Sequence, residues 1–581
     1  MSRVPIAILC VTLSLGAWQA APAAEPLPPA AQWIPQDALL VAEISDPGAL
    51  LDLAFDPRMT ERVTSVPAYK HVTAEPGFIQ FLGIIKFLEA SLGTDLQTGL
   101  NKTLGGGITL AACPDDVALL IIDAEDGEML KKLHNILLTF AKAEAEKEGQ
   151  PDRVRSAEYR GVSGWTFNGK EAHAIIGNRM IFASESKALL RMIDLRADEN
   201  AKSLHTLPAY QAAKKASGAD SVASVFVNLG VLKQVPGVAK ALANDENPLT
   251  SLLFAGITEA LQNSNWLALG LSIEDDVLSL QATADGKTGD PEGAAAFAFS
   301  SEPGVGALPN LVVPRRIAAL SFWRDLHAFY GAKDDLFPDR TSGLIFFENM
   351  MGIFFSGRDL TEDVLAETHP EVRIVVAEQD YGDHAPQLQI PSFGAIFRLR
   401  DAEKFALVAE EAWQKAIGLV NFTRGQQAEA GMIIRQPTHD GTTYTMAYFL
   451  PGEEGDDVAD RHNFRPSLVS MGDFLVLSST DALAEDLIDA LKKEIDQPPK
   501  PLAQTHSVVE FDVVQLASIL NANRDALIRK SIIDKGNTEE QAAAETDLLL
   551  TIIQNLGQFK LSLGSRNALS HATLQWSLNL E

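Results

Sequence analysis

The chain repeats its own landmarks in order, and this recurrence constrains its folding more than any composition does. Gly93-Thr94-Asp95-Leu96 returns as Gly357-Arg358-Asp359-Leu360. Each is followed, about a dozen residues on, by a strand-like run, Ile108 to Ala111 and Val372 to Val376. An Asp-Ala-Glu opens a helical pattern at Asp123 and at Asp401. Gly177-Asn178 and Gly472-Asp473 each sit between a pair of apolar runs, and Leu269 to Ser272 matches Phe559 to Ser562. A unit of roughly 260 residues is too long for a solenoid repeat, which points to a duplicated domain. The recurrence speaks to architecture and leaves chemistry open.

The first residues are of another kind. Arg3 precedes an apolar stretch from Val4 to Leu15, then small residues ending Ala21-Pro22-Ala23-Ala24. That is the layout of a secretory signal peptide over 1–24, with the cut near Ala23 or Ala24. The apolar core is about 12 residues, and a spanning helix needs about 20. The expected destination is the periplasm or the extracellular space, with no stable membrane insertion after the signal is removed. Cys113 is then the one remaining cysteine, so no intramolecular disulfide can form and stability must come from packing. A net charge of -29, from 77 acidic against 48 basic residues, opposes nucleic acid as a partner.

Small residues, Gly and Pro without period over 286–309 read as a linker between a first unit, 33–285, and a second, 310–581. Each unit carries the same run of elements. Strands are expected at Leu39–Ile44, Val117–Ile122 and Val222–Leu229 in the first, and at Ile317–Phe322, Phe393–Leu399 and Val508–Val513 in the second. Helices are expected over Glu128–Lys147 and Glu403–Val420, with Asp123 and Asp401 as N-caps. The Gly-Asn and Gly-Asp pairs predict two-residue β-hairpins, Ala172–Ile176 with Met180–Ala183 and Leu468–Met471 with Leu475–Ser478. Ser186 and Asp481 then stand as N-caps of the next helices. Hairpins mixed with helices favour an α+β fold, a tandem duplication of a mainly antiparallel sheet domain with packed helices. Two stretches, Phe78–Leu92 and Ile345–Phe355, are apolar on all sides and are expected as covered core helices. An interface or the wall of an apolar ligand site are the other roles such helices take.

Reactive constellations are sparse. Ser184-Glu185-Ser186-Lys187, with Lys287-Thr288-Gly289 downstream, is reminiscent of serine β-lactamases and penicillin-binding enzymes, where a serine attacks and a lysine one turn away manages its proton. The middle element of that set is missing, and Ser184 and Ser186 suit a helix cap. A P-loop fails at Gln281, where its first glycine belongs. The 11 histidines, His173 among them, lie without a zinc spacing. Two acidic loops, Asp380 to His384 and Glu453 to Asp457 with Asp460, lack the alternation of an EF-hand and read as solvated turns.

The exported N-terminus, the Ile34-Pro35-Gln36-Asp37-Ala38 entry and the strand-helix units with small-residue turns look similar to a large bacterial family of exported proteins known as a domain of unknown function. That resemblance implies no activity, cofactor or catalytic residue. The sequence therefore favours a non-enzymatic binding or scaffolding protein, with no cofactor and no catalytic or metal residue, and with a protein or an apolar ligand as partner. A periplasmic carrier of an apolar ligand or lipid is the first alternative, with the helices at Phe78 and Ile345 as cavity walls, and a serine hydrolase the second.

Overall fold

A computed structural model describes residues 28–65, 73, 76–198, 201–235, 237–238, 252, 257–286, 297, 304–381, 385–450, 459–566 and 569–578. The fold is α+β, and every strand ladder described is antiparallel.

In the first half the strands are β1 (Leu40–Ile44), β2 (Gly107–Ala112), β3 (Ala118–Asp123), β4 (Arg155–Tyr159), β5 (Val162–Thr166), β6 (Ala172–Ile176), β7 (Arg179–Ala183), β8 (Ala223–Val227), β9 (Leu267–Glu274) and β10 (Val277–Ala284). In the second they are β11 (Arg316–Trp323), β12 (Thr368–Ala377), β13 (Ser392–Leu399), β14 (Ile433–Arg435), β15 (Thr438–His439), β16 (Thr442–Thr443), β17 (Thr445–Tyr448), β18 (Ser467–Met471), β19 (Phe474–Ser478), β20 (Thr505–Asp512), β21 (Gln558–Arg566) and β22 (Leu569–Ser577). β15 and β16 pair only with each other, and the other strands make one 20-stranded sheet.

Following the ladders from the outer edge, the first half runs β4-β5-β6-β7-β3-β2-β1-β8-β9-β10. From its own outer edge the second runs β14-β17-β18-β19-β13-β12-β11-β20-β21-β22. The halves meet where β10 pairs with β22 over eight residues, Val277↔Ser577 to Ala284↔Ser570.

The longer helices include α1 (Pro76–Leu92), α2 (Gly127–Lys147), α3 (Ser186–Ala197), α4 (Thr341–Phe354), α5 (Ala402–Gln426) and α6 (Asp481–Asp496). Both expected hairpins form, with Ile176↔Arg179 and Met471↔Phe474 closing them. Gly177 (φ 64°) and Gly472 (φ 54°) lead the two-residue turns, in the position that a left-handed backbone reserves for glycine. After α1 and α4 the chain reverses at Gly93 and Gly357, both at φ 76°, and Asp95 and Asp359 then cap the short helical turns that come next.

Period-two alternation places helices on both faces of the sheet. In β18 and β19, Val469 and Val476 point to one face, where Leu483, Leu487, Ile488 and Leu491 of α6 bury them. Their neighbours Leu468 and Leu475 point to the other, against Phe405, Ala409 and Trp413 of α5. The first half does the same: Ile181 meets Leu189 and Met192 of α3, and Met180 meets Leu130 of α2.

Several sequence expectations need correction. Asp123 does not cap α2; Asp126 does, accepting the amides of Glu128 and Met129. Asp123 ends β3 and binds Arg179. Glu185, not Ser186, holds the cap position of α3, and Thr480, not Asp481, caps α6 by accepting the Leu483 amide. The two all-apolar stretches are not covered core. In α1, Ile79, Phe81 and Ile84 are each more than half exposed, and in α4 Phe346 is 71% and Ile353 68% exposed. Full burial of such a side chain is worth about 1.5–3 kcal/mol, and each of these forgoes the larger part of it. Among the described residues no helix is long and apolar enough to cross a membrane.

Candidate functional site: an apolar groove under α5

α5 starts at Asp401, whose carboxylate accepts the Lys404 amide, and its apolar stripe Phe405, Ala409, Ala412, Trp413 and Ile417 follows the three-and-four spacing of a helix that packs on one face. Over its first turns that stripe closes on the sheet. Toward its C-terminal end a groove of about 970 Å³ opens between α5 and β13 and β19, near the top of the range of about 300–1,000 Å³ usual for small-molecule sites.

The floor is set by alternation in β13. Phe393 and Ala395 face the groove, while Gly394 and Ile396 face α6. On the α6 side there is no spare room: a Cβ on Gly394 would stand 2.7 Å from Cδ1 of Leu487. Leu477 of β19 completes the floor, Ala416, Leu419 and Val420 of α5 form one wall, and Met432, Phe449 and Phe464 form the other. Two cations reach it. The guanidiniums of Arg424 and Arg461 lie 4.6 and 5.8 Å from the Phe449 ring centre, at cation–π range.

The strand position paired with Leu477 of the floor differs between the halves. Counting from the hairpin glycines, His173 of β6 stands where β18 has Leu468, and its Nε2 lies 3.1 Å from Nε2 of His134 on α2. Both rings are buried, among Trp165, Phe167 and Phe182. One imidazole donates to the other across this contact, and burial disfavours a charge on either ring. Burial, and then the neighbouring His134, brings His173 down to about 4, and burial lowers His134.

Between pH 6.5 and 4 the unfolded chain binds the proton that folded His173 refuses. This contribution to stability is therefore whole above pH 6.5 and lost as pH falls toward 4. Between pH 7 and 5 the expected loss is about 2 kcal/mol from His173 alone. Thermal melts across that range should show it, and His173→Leu should flatten the dependence.

The hydrolase constellation does not gather a site around Ser184. Its Oγ accepts the Ala118 amide at 3.0 Å, tying the end of β7 to β3. Lys287, Thr288 and Gly289 lie outside the described residues, as do Asp383 and His384 of one acidic loop and Glu453 to Asp457 of the other. Asp460 accepts the Leu388 amide, and Asp380 stands 3.8 Å from Arg315. Among the described residues no group of three or more His, Cys, Asp or Glu side chains is placed to hold a metal ion. Cys113 is buried, which with the nearby Asp37 charge pushes its thiol up to about 11 and keeps it protonated.

The groove residues were missed by sequence reasoning, and the walls it named are not the walls found. The helices at Phe78 and Ile345 do not line it. The one available signal was the run Phe393, Ala395, Phe397, Leu399, whose alternation marks a second apolar face on a strand already covered by α6.

The family model described as "Protein of unknown function (DUF3352)" matches residues 4–321, more than half of the chain. The chain belongs to that family. The DUF3352 match runs through the first half and ends inside β11, so the groove lies beyond it. No curated protein matches the chain. Among solved structures, crystal forms I and III of TP0453 are similar at 9% identity and a TM-score of 0.24, covering 46% and 45% of this chain and 81% of theirs. A TM-score that low assigns neither fold nor function.

Proposed function

We propose that this DUF3352 protein is a non-enzymatic binding protein whose second half takes up an apolar ligand between α5 and the sheet. The observation that carries the reading is the groove itself, whose floor and walls are almost wholly apolar and open to solvent at Phe393, Leu419 and Phe464. A globular chain covers such surface when nothing else will occupy it. We read residues 1–24 as a cleaved signal peptide, which puts the groove to work in the periplasm or outside the cell. We also read 33–285 and 310–581 as copies of one unit joined through 286–309, a view supported by the matching strand order.

Native mass spectrometry of the protein purified without detergent tests the reading. A retained lipid or other apolar molecule is expected. Ala416→Trp, which fills the groove, should abolish retention while leaving the melting temperature within a few degrees. Repeated absence of ligand, together with no uptake of an apolar fluorescent dye, sinks the proposal.

The bare faces of α1 and α4 favour a second reading, a scaffold that docks a protein partner through them. Cross-linking from positions 81 and 346 in cells is expected to trap one recurrent protein in that case.

A further inference from the structure

We propose that the groove's ligand is an amphiphile with a single anionic head, its chain lying along α5 and β13 and its acid group seated at Arg461. This rests on the reading of the groove as a ligand site and adds the chemistry of what enters it.

The two cations at the groove differ in how their charge is answered. Arg424 places Nη2 2.9 Å from a Glu429 oxygen, and its Nε donates to the Ala430 carbonyl at 2.8 Å. Arg461 makes no ion pair among the described residues, and its Nε is buried without a hydrogen-bond partner. A guanidinium N–H withdrawn from water and left without an acceptor is costly, and the planar fork of arginine fits a carboxylate or phosphate better than any neutral group. Arg461 lies in the short turn Asp460–Asn463, directly before the half-exposed Phe464 at the rim. An acid group bound there stays near water while the tail runs inward over Ala395 and Leu477. The local field agrees: burial, and then the charges of Arg461 and Arg465, lower the pKa of the adjacent His462. With a net charge of -29, the protein as a whole repels anions, so preference for one has to come from the groove's own cations, and Arg424 is already paired with Glu429.

The test pairs two ligands with one chain and two heads. Palmitate and hexadecanol are titrated into the delipidated full-length protein against a displaceable apolar dye. Palmitate is expected to bind about tenfold to hundredfold more tightly, the worth of hydrogen bonds to a charged group. Arg461→Gln should bring palmitate down to the level of hexadecanol without changing hexadecanol, and Arg461→Lys should keep some of the preference. Equal binding of the two ligands, or a preference that survives Arg461→Gln, overturns the headgroup assignment while leaving the groove reading intact. Should neither ligand bind the wild-type protein, the groove reading itself falls. If Arg461→Gln lowers the melting temperature and loses both ligands, Arg461→Lys decides: a retained preference for palmitate supports the assignment, and a lost one overturns it.

Discussion

Replacing Asp123 with alanine is expected to lower the unfolding free energy by about 3–5 kcal/mol, the cost of stripping its partner from a buried cation. The partner is Arg179, whose side chain is 3% exposed; it donates Nε and Nη2 to Asp123 at 2.6 and 2.7 Å. Its remaining nitrogen donates to the Pro28 carbonyl, and its Cζ lies 4.6 Å from the Trp33 ring centre. Once the carboxylate is gone, none of those contacts cancels the charge. A helix cap in the same place would be worth only about 1 kcal/mol, so denaturant titration separates the two roles of Asp123 cleanly. A loss near 1 kcal/mol contradicts the buried pair. The double variant Asp123→Ala with Arg179→Met should recover most of the loss, because it removes the unpaired charge as well.

The second large effect is expected at Leu487→Ala. Leu487 is fully buried on the α6 face, among Ile396, Val476 and Leu491, and so close to the sheet that a glycine is needed opposite it. Truncation leaves a cavity that packed strands cannot collapse, at about 2–5 kcal/mol. Leu407→Ala, on the outer side of α5 with 77% of its surface exposed, should change stability by no more than about 0.5 kcal/mol. Because one sheet carries both halves, Asp123→Ala and Leu487→Ala are expected to shift the same unfolding transition. Two separate transitions, each moved by only one variant, would show that the halves unfold independently.

Strands and hairpins were legible because their signals are local. Gly177-Asn178 and Gly472-Asp473 each sit between apolar runs, and glycine at the first turn position is a backbone requirement that no distant contact alters. Helix starts were legible only to within a few residues. Asp123, Glu125 and Asp126 all offer a carboxylate, and which one caps α2 depends on where β3 stops pairing with β7, a fact of register.

The exposure of α1 and α4 could not be read at all. Apolar content says what water penalises, and does not say whether the rest of the chain supplies a cover. The groove was hidden for a related reason. Phe393, Ala416, Phe449, Arg461 and Leu477 belong to separate elements, and only the ladder from β13 through β19 to β18 brings them around one space.

The seam between β10 and β22 has a consequence for biosynthesis. β10 is complete at Ala284, yet its outer neighbour begins at Leu569, so the edge facing that neighbour must wait while the intervening chain is made. At about 5–20 residues per second the wait is roughly 15–60 s. Throughout it, a bare eight-residue edge is open to any other extended chain, the situation that breeds intermolecular pairing. A nascent polypeptide of this design profits from a holdase that covers this edge until its last strand arrives.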